Sequence, residues 1–146
     1  MSRITFSLLD RSGYGTLRPA LNAAGLPAND LDDPGRRFFE LTDPDGPIGF
    51  VGLEGDGPHV LLRSLLVLPG RKRQGNGGLL VAHAEAVARQ EGARRLHLLT
   101  TTASDFFRAR GYRDCDRTGA PMTIRTSPQF ASLCPGSASY LIKDLA

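Results

Sequence analysis

Residues 59–92 join an almost continuous apolar run, a basic glycine-rich loop and an amphipathic segment without interruption, and few folds accommodate that succession. From His59 to Leu68 only Arg63 and Ser64 break the apolar run, and Pro69 ends it. The length and the stop predict a strand buried on both faces. After the loop, Leu80, Ala84, Val87 and Ala88 fall on one helical stripe. Gly92 closes that helix in the left-handed conformation glycine tolerates.

The loop between them runs Gly70, Arg71, Lys72, Arg73, Gln74, Gly75, Asn76, Gly77, Gly78. Without β-carbons the backbone N–H groups at the helix N-terminus lie open to an anion, and the helix dipole favours one there. Arg71, Lys72 and Arg73 add charge suited to a pyrophosphate. A phosphorylated cofactor is therefore expected. The loop lacks G-x-x-x-x-G-K-[ST], and glycines at 75, 77 and 78 do not meet G-x-G-x-x-G, so P-loop and dinucleotide folds are set aside.

The stretch from Lys72 to Gly77 resembles the pyrophosphate loop of the GNAT superfamily of N-acetyltransferases, [Q/R]-x-x-G-x-[G/A], with Lys72 in the first place. Leu62, Leu65, Val67 and Pro69 resemble its cofactor strand, and the stretch from Ala103 to Tyr112 its A-x-x-F-Y-x-x-x-G-F segment. The resemblance implies an α/β (α+β) fold with one mixed, mostly antiparallel sheet of about seven strands, a size ordinary for a sheet. Helices flank that sheet, which splays at strands 4 and 5. It implies acetyl-CoA as cosubstrate, held by the backbone of Leu66, Val67 and Leu68 and by Lys72, Arg73, Gln74, Gly75, Asn76, Gly77 and Gly78, with Phe107 beside them. No metal ion is implied.

Acyl transfer to an amine needs a neutral nucleophile, stabilisation of the oxyanion and a leaving thiolate. The family's tyrosine is replaced by Phe107, which has no proton to donate, and Thr100 stands where an asparagine is usual. Glu40 and His97, with His59, are the candidate bases. Ser64 joins Glu40 and His97 as a candidate catalytic residue. His97, between Leu96 and Leu98, also fits a satisfied core histidine. Arg63 and Ser64 need partners if buried, either protein groups or an acceptor carboxylate. Arg63 is assigned to the acceptor, and Thr100, Thr101 and Thr102 offer it hydroxyls.

The last third, including Thr100–Thr102, Pro121, Ile124, Arg125, Gln129, Phe130, Cys134 and Pro135, resembles the second group of N-acetyltransferases from arsenic-resistance operons. By analogy with a related group, the acceptor is a small amine of anionic amino-acid type. The rival reading is a non-catalytic acyl-CoA-binding or sensing module, and a scaffold is the third.

The remaining chain fits a single domain over residues 1–146, with the ordinary composition of a globular protein: 40% hydrophobic and 23% charged. Residues 4–9 read as a strand and 16–24 as a helix capped by Thr16, with Pro19 in its first turn. Residues 26–36 read as a loop, which the resemblance places beside the acceptor pocket. Strands at 38–41 and 48–53 form a meander with 59–68, and 96–100 returns parallel after the helix. A short helix at 105–110, strands at 112–116 and 139–143, and a helix at 128–133 complete the reading. A net charge of +3 without a basic stripe does not support nucleic acid as a partner, and none is expected. No stretch suits a membrane span or signal peptide, so a cytoplasmic location is expected. Cys115 and Cys134 make neither a disulfide framework nor a zinc site. A homodimer, common in the resembled family, is the expected assembly.

Overall fold

The computed structural model describes residues 3–72, 75–128, 130 and 138–145. Its elements are β1 (Thr5–Leu8), α1 (Tyr14–Ala23), β2 (Arg36–Asp43), β3 (Gly46–Glu54), β4 (His59–Val67), α2 (Asn76–Gln90), β5 (Arg95–Thr100), α3 (Ser104–Arg108), β6 (Arg113–Asp114), α4 (Met122–Arg125) and β7 (Ser139–Asp144). The seven strands form one sheet in the order β1-β2-β3-β4-β5-β7-β6. Only the β4–β5 pair is parallel, as expected for strands joined through a helix.

Alternation along the strands sorts the core into two faces. On one, Phe39, Leu41, Val51, Leu53, Val60, Leu62, Leu96 and Leu98 pack against Leu80, Val81, Ala84 and Ala88 of α2. On the other, Phe38, Phe50 and Leu66 pack under Leu17 and Leu21 of α1, with Ala28 and Leu31 from the following loop. Beyond them Leu61, Tyr140 and Ile142 pack under Ala120, Ile124 and Phe130.

The α2 stripe is wider than apolar periodicity predicts. Glu85 is buried on it, accepting hydrogen bonds from Tyr112 Oη at 2.9 Å and from Lys143 Nζ at 3.0 Å. A carboxylate with both partners is tolerated where an unpaired one is not.

Two local expectations change. Helix α1 starts at Tyr14, so Thr16 is not its cap. Asp10 opens the preceding 3₁₀ turn by accepting from Gly13 N. Pro19 consequently lies inside the helix rather than in its first turn. Gly25, at φ +73°, ends α1 as Leu26 N donates to Leu21 O at 2.9 Å. Helix α4 has no counterpart in the sequence reading, and the expected helix at 128–133 falls mostly on residues outside those described. No described helix is long and apolar enough to cross a membrane.

Candidate active site

Strands β4 and β5 pair only through His59–Arg95, Val60–Leu96 and Leu61–His97. Both strands continue past those pairs and diverge. The gap is a cavity of about 220 Å³. Its walls are Leu62–Leu65 of β4, Leu98–Thr100 of β5, Thr101–Ala103 and Phe107 beyond, and Gly25–Pro27 after α1. Arg63, Ser64, Thr100, Thr101, Thr102 and Phe107 are thus brought to one place.

A bulge in β4 shapes this wall. Phe50 pairs with Leu66 and Gly52 with Arg63, so Val51 alone opposes Ser64 and Leu65. Ser64 takes φ +58°, the one non-glycine residue in the left-handed region among those described. The bulge shifts the alternation by one residue. Leu65 and Val67, instead of Ser64 and Leu66, continue the α2-facing row of Val60 and Leu62. The Arg-Ser interruption was the signal for this bulge, and sequence reading did not convert it into a change of phase.

The Arg63 side chain is fully buried, and its partners are protein groups. Nη1 and Nη2 donate to the two oxygens of Asp30 at 2.5 and 2.7 Å, Nη1 also donates to Glu54 at 3.0 Å, and Nε donates to Ser64 Oγ at 3.1 Å. Burial works against the Asp30 carboxylate, but Arg63 and Arg36 outweigh it and hold the carboxyl below its ordinary pKa. The expectation that Arg63 holds an acceptor carboxylate is corrected accordingly: its guanidinium fork is already occupied.

Two further candidates stand away from the cavity wall. His97 is buried, with Nε2 2.9 Å from His59 Nδ1 and Nδ1 2.6 Å from Tyr140 Oη. Burial, with the neighbouring His59 and Arg95, lowers its pKa to about 4. It occupies the place of a satisfied core histidine. Glu40, half-buried on β2, lies opposite Phe50, which lies opposite Leu66. One strand therefore separates it from β4.

At the other end of the cavity strand, Gly75 caps α2 at φ +73° and ψ +21° with no side-chain bond to the first turn. Asn76 Nδ2 donates to Arg71 O at 2.7 Å and latches the loop to the helix. A β-carbon on Gly75 would meet nothing, whereas one on Gly77 would come within 3.1 Å of the Phe106 ring. The first turn thus offers bare N–H groups beside an aromatic wall, and the cradle fits a phosphate chain. Lys72 is exposed there. Arg71 is not free, since it donates to both oxygens of Asp43 at 2.8 and 2.9 Å. Arg73 and Gln74 lie outside the described residues.

Arg110, missed as a site residue, stacks 3.7 Å from the Phe106 ring centroid, and a β-carbon on Gly78 would lie 3.1 Å from its Nε. Its position four residues after Phe106 on a helical segment was the available signal. Leu68 is spent on structure: its N–H donates to Ile48 O at 2.9 Å and its carbonyl accepts from Arg71 N at 2.9 Å. Leu66 O faces β3, where a β-carbon on Gly49 would lie 2.3 Å from it. Alternation then turns the Val67 backbone toward the gap.

The chain thus combines a gap between diverging parallel strands with a glycine-capped helix N-terminus that follows one of them. A model of the acetyltransferase (GNAT) family matches residues 6–114, and the chain belongs to that family. An uncharacterized N-acetyltransferase of Chlorobaculum tepidum is 40% identical over 63 residues, which are 43% of this chain and 40% of that protein. The match therefore spans less than half of that relative. A GNAT-family acetyltransferase from Staphylococcus aureus has the same fold at a TM-score of 0.79 and 16% identity, covering 99% of this chain and 100% of that one. N-acetylglutamate synthase from Neisseria gonorrhoeae, complexed with coenzyme A and N-acetyl-glutamate, gives 0.78 at 21% identity, covering 99% of this chain and 35% of that one.

Proposed function

We propose that the protein is an acetyl-CoA-dependent N-acetyltransferase of a small amine, working as a single domain. The observation that carries this reading is the cavity opened where β4 and β5 diverge, on the same strand whose following loop leads into the glycine-capped start of α2. Acetyl-CoA supplies the activated acetyl group. The first turn of α2, Lys72 and Arg110 bind its phosphates, the Val67 backbone orients its amide arm, and the β4 wall and Phe107 exclude water from the thioester.

The acceptor enters from the side of Gly25–Pro27 and meets Thr100, Thr101 and Thr102. Among the described residues, no carboxylate or imidazole lines the cavity. The amine proton is therefore assigned to water at the cavity mouth, with Glu40 and His97 outside the reacting shell. An anionic amino-acid-like acceptor, linked to arsenic resistance, is supported by the resemblance of the last third and not by the sealed Arg63.

Phe107 favours a second reading, an acyl-CoA-binding or sensing module, because it places a buried ring without a hydroxyl against the cavity. Free thiol released from acetyl-CoA, measured across amino acids, phosphinic and arsenical glutamate analogues and polyamines, separates the two. Acceptor-dependent release supports the enzyme. Tight CoA binding with no release from any acceptor supports the sensor.

A further inference from the structure

We propose that the Ser64 hydroxyl is the hydrogen-bond donor to the departing thiolate, and that Asp30, acting through Arg63, is the positioning residue that aims it. This rests on the acetyltransferase reading and gives one of its steps a donor.

Four observations converge on Ser64. It lines the cavity yet is only 7% exposed, so a hydrogen bond made there has little competition from water. Its backbone is held at φ +58° by the bulge, a conformation that needs support from its surroundings. Its Oγ accepts from Arg63 Nε, and among the described residues nothing accepts its own proton, which is left for a ligand. Arg63 in turn cannot swing, because Asp30 holds both ends of its fork. The other hydroxyls of the cavity are less constrained by burial: Thr101 and Thr102 are exposed and Thr100 is half-buried, its Oγ1 accepting from Ala103 N at 2.9 Å. Phe107 has no proton to give.

The step balances without a proton leaving Ser64. The neutral amine attacks the thioester carbon and the C–N bond forms. The C–S bond then breaks with its electron pair on sulfur, where the Ser64 O–H bonds to the thiolate, and the amine proton passes to water. An oriented donor at a developing anion is worth roughly 10²-fold in rate. A donor to a charged acceptor lowers the acid's pKa by roughly one unit.

The test titrates the thiol of bound coenzyme A through the ultraviolet absorbance of its thiolate, in the wild type and in Ser64→Gly, Ser64→Ala and Asp30→Asn. This reading needs no acceptor. In Ser64→Gly, relief of the left-handed backbone opposes the loss of the bond to Arg63, and Ser64→Ala keeps the backbone constraint while removing the hydroxyl. Both are expected to bind coenzyme A within about twofold of wild type, since a single polar contact away from the phosphates is removed. The bound thiol is expected to titrate about one unit below free coenzyme A in the wild type and at the free value in both serine variants. Asp30→Asn is expected to lie between. With an active acceptor, kcat falls roughly 10²-fold in the serine variants with KM for acetyl-CoA little changed. A wild-type thiol pKa retained in both serine variants overturns the Ser64 role, and one retained in Asp30→Asn overturns the positioning role. Failure of every acceptor, with the thiol shift intact, overturns the acetyltransferase reading and with it the role in thiolate departure, and leaves Ser64 as a donor to bound coenzyme A alone. Failure to bind coenzyme A overturns both.

Discussion

Asp30, in the loop after α1, grips Arg63 on β4 through both carboxylate oxygens, and the arginine side chain has no exposed surface. The pair fixes the loop beside the cavity to the strand that forms its wall. Removing one partner of a buried pair strands the other charge, whereas an exposed pair contributes little. Asp30→Ala is expected to lose about 3 kcal/mol, because Glu54 still reaches Arg63. Asp32→Ala, which removes the exposed partner of Arg18, is expected to lose under about 1 kcal/mol. Urea unfolding of the two variants measures the difference, and equal midpoints contradict it.

Gly49 and Gly75 are predicted to differ in kind. At Gly49 a β-carbon would sit 2.3 Å from Leu66 O, so alanine must push β3 from β4 beside the bulge. At Gly75 there is open space, and alanine meets only the left-handed backbone at φ +73°. Gly49→Ala is expected to lose about 2–3 kcal/mol, and Gly75→Ala about 1 kcal/mol. Thermal unfolding of both variants checks the order.

His97 sets a pH window. Burial and its charged neighbours lower its folded pKa to about 4 from an ordinary 6.5. The unfolded chain binds the proton first as pH falls, so the contribution is full above about 6.5 and is lost progressively toward about 4. The loss is on the order of 3 kcal/mol for this buried ring. Asp30 acts lower, since its depressed pKa keeps its contribution above the ordinary carboxylate value and surrenders it as pH falls through the folded one. His97→Gln is expected to flatten the stability slope between pH 6.5 and 4, the window that His97 sets. An unchanged slope in urea titrations contradicts this assignment.

Much of the fold was legible because its signals are local. The apolar run at 59–68, the glycines at 75–78 and the stripe on α2 needed only neighbours in sequence, and they yielded the parallel pair and the meander. Arg63 shows where such reading stops: one charge in a strand announces a partner without saying that Asp30 and Glu54 would converge on it from two other segments. Ser64 shows the same limit for backbone, since a bulge depends on how two strands keep register. Phe107 was placed at the site by resemblance and lines the cavity, whereas only the tertiary arrangement put His97 under His59 and Tyr140.

The central claim is most directly tested by counting products. Thiol released from acetyl-CoA and acetylated amine identified by mass spectrometry are measured together for the wild type and for Gly77→Asp. That substitution drives a side chain toward Phe106 and sets a negative charge at the proposed phosphate cradle. Equal amounts of thiol and acetylated amine from the wild type, with both lost in Gly77→Asp, are the predicted result. Coenzyme A binding without any acetylated amine, or equal release by the two proteins, contradicts the account.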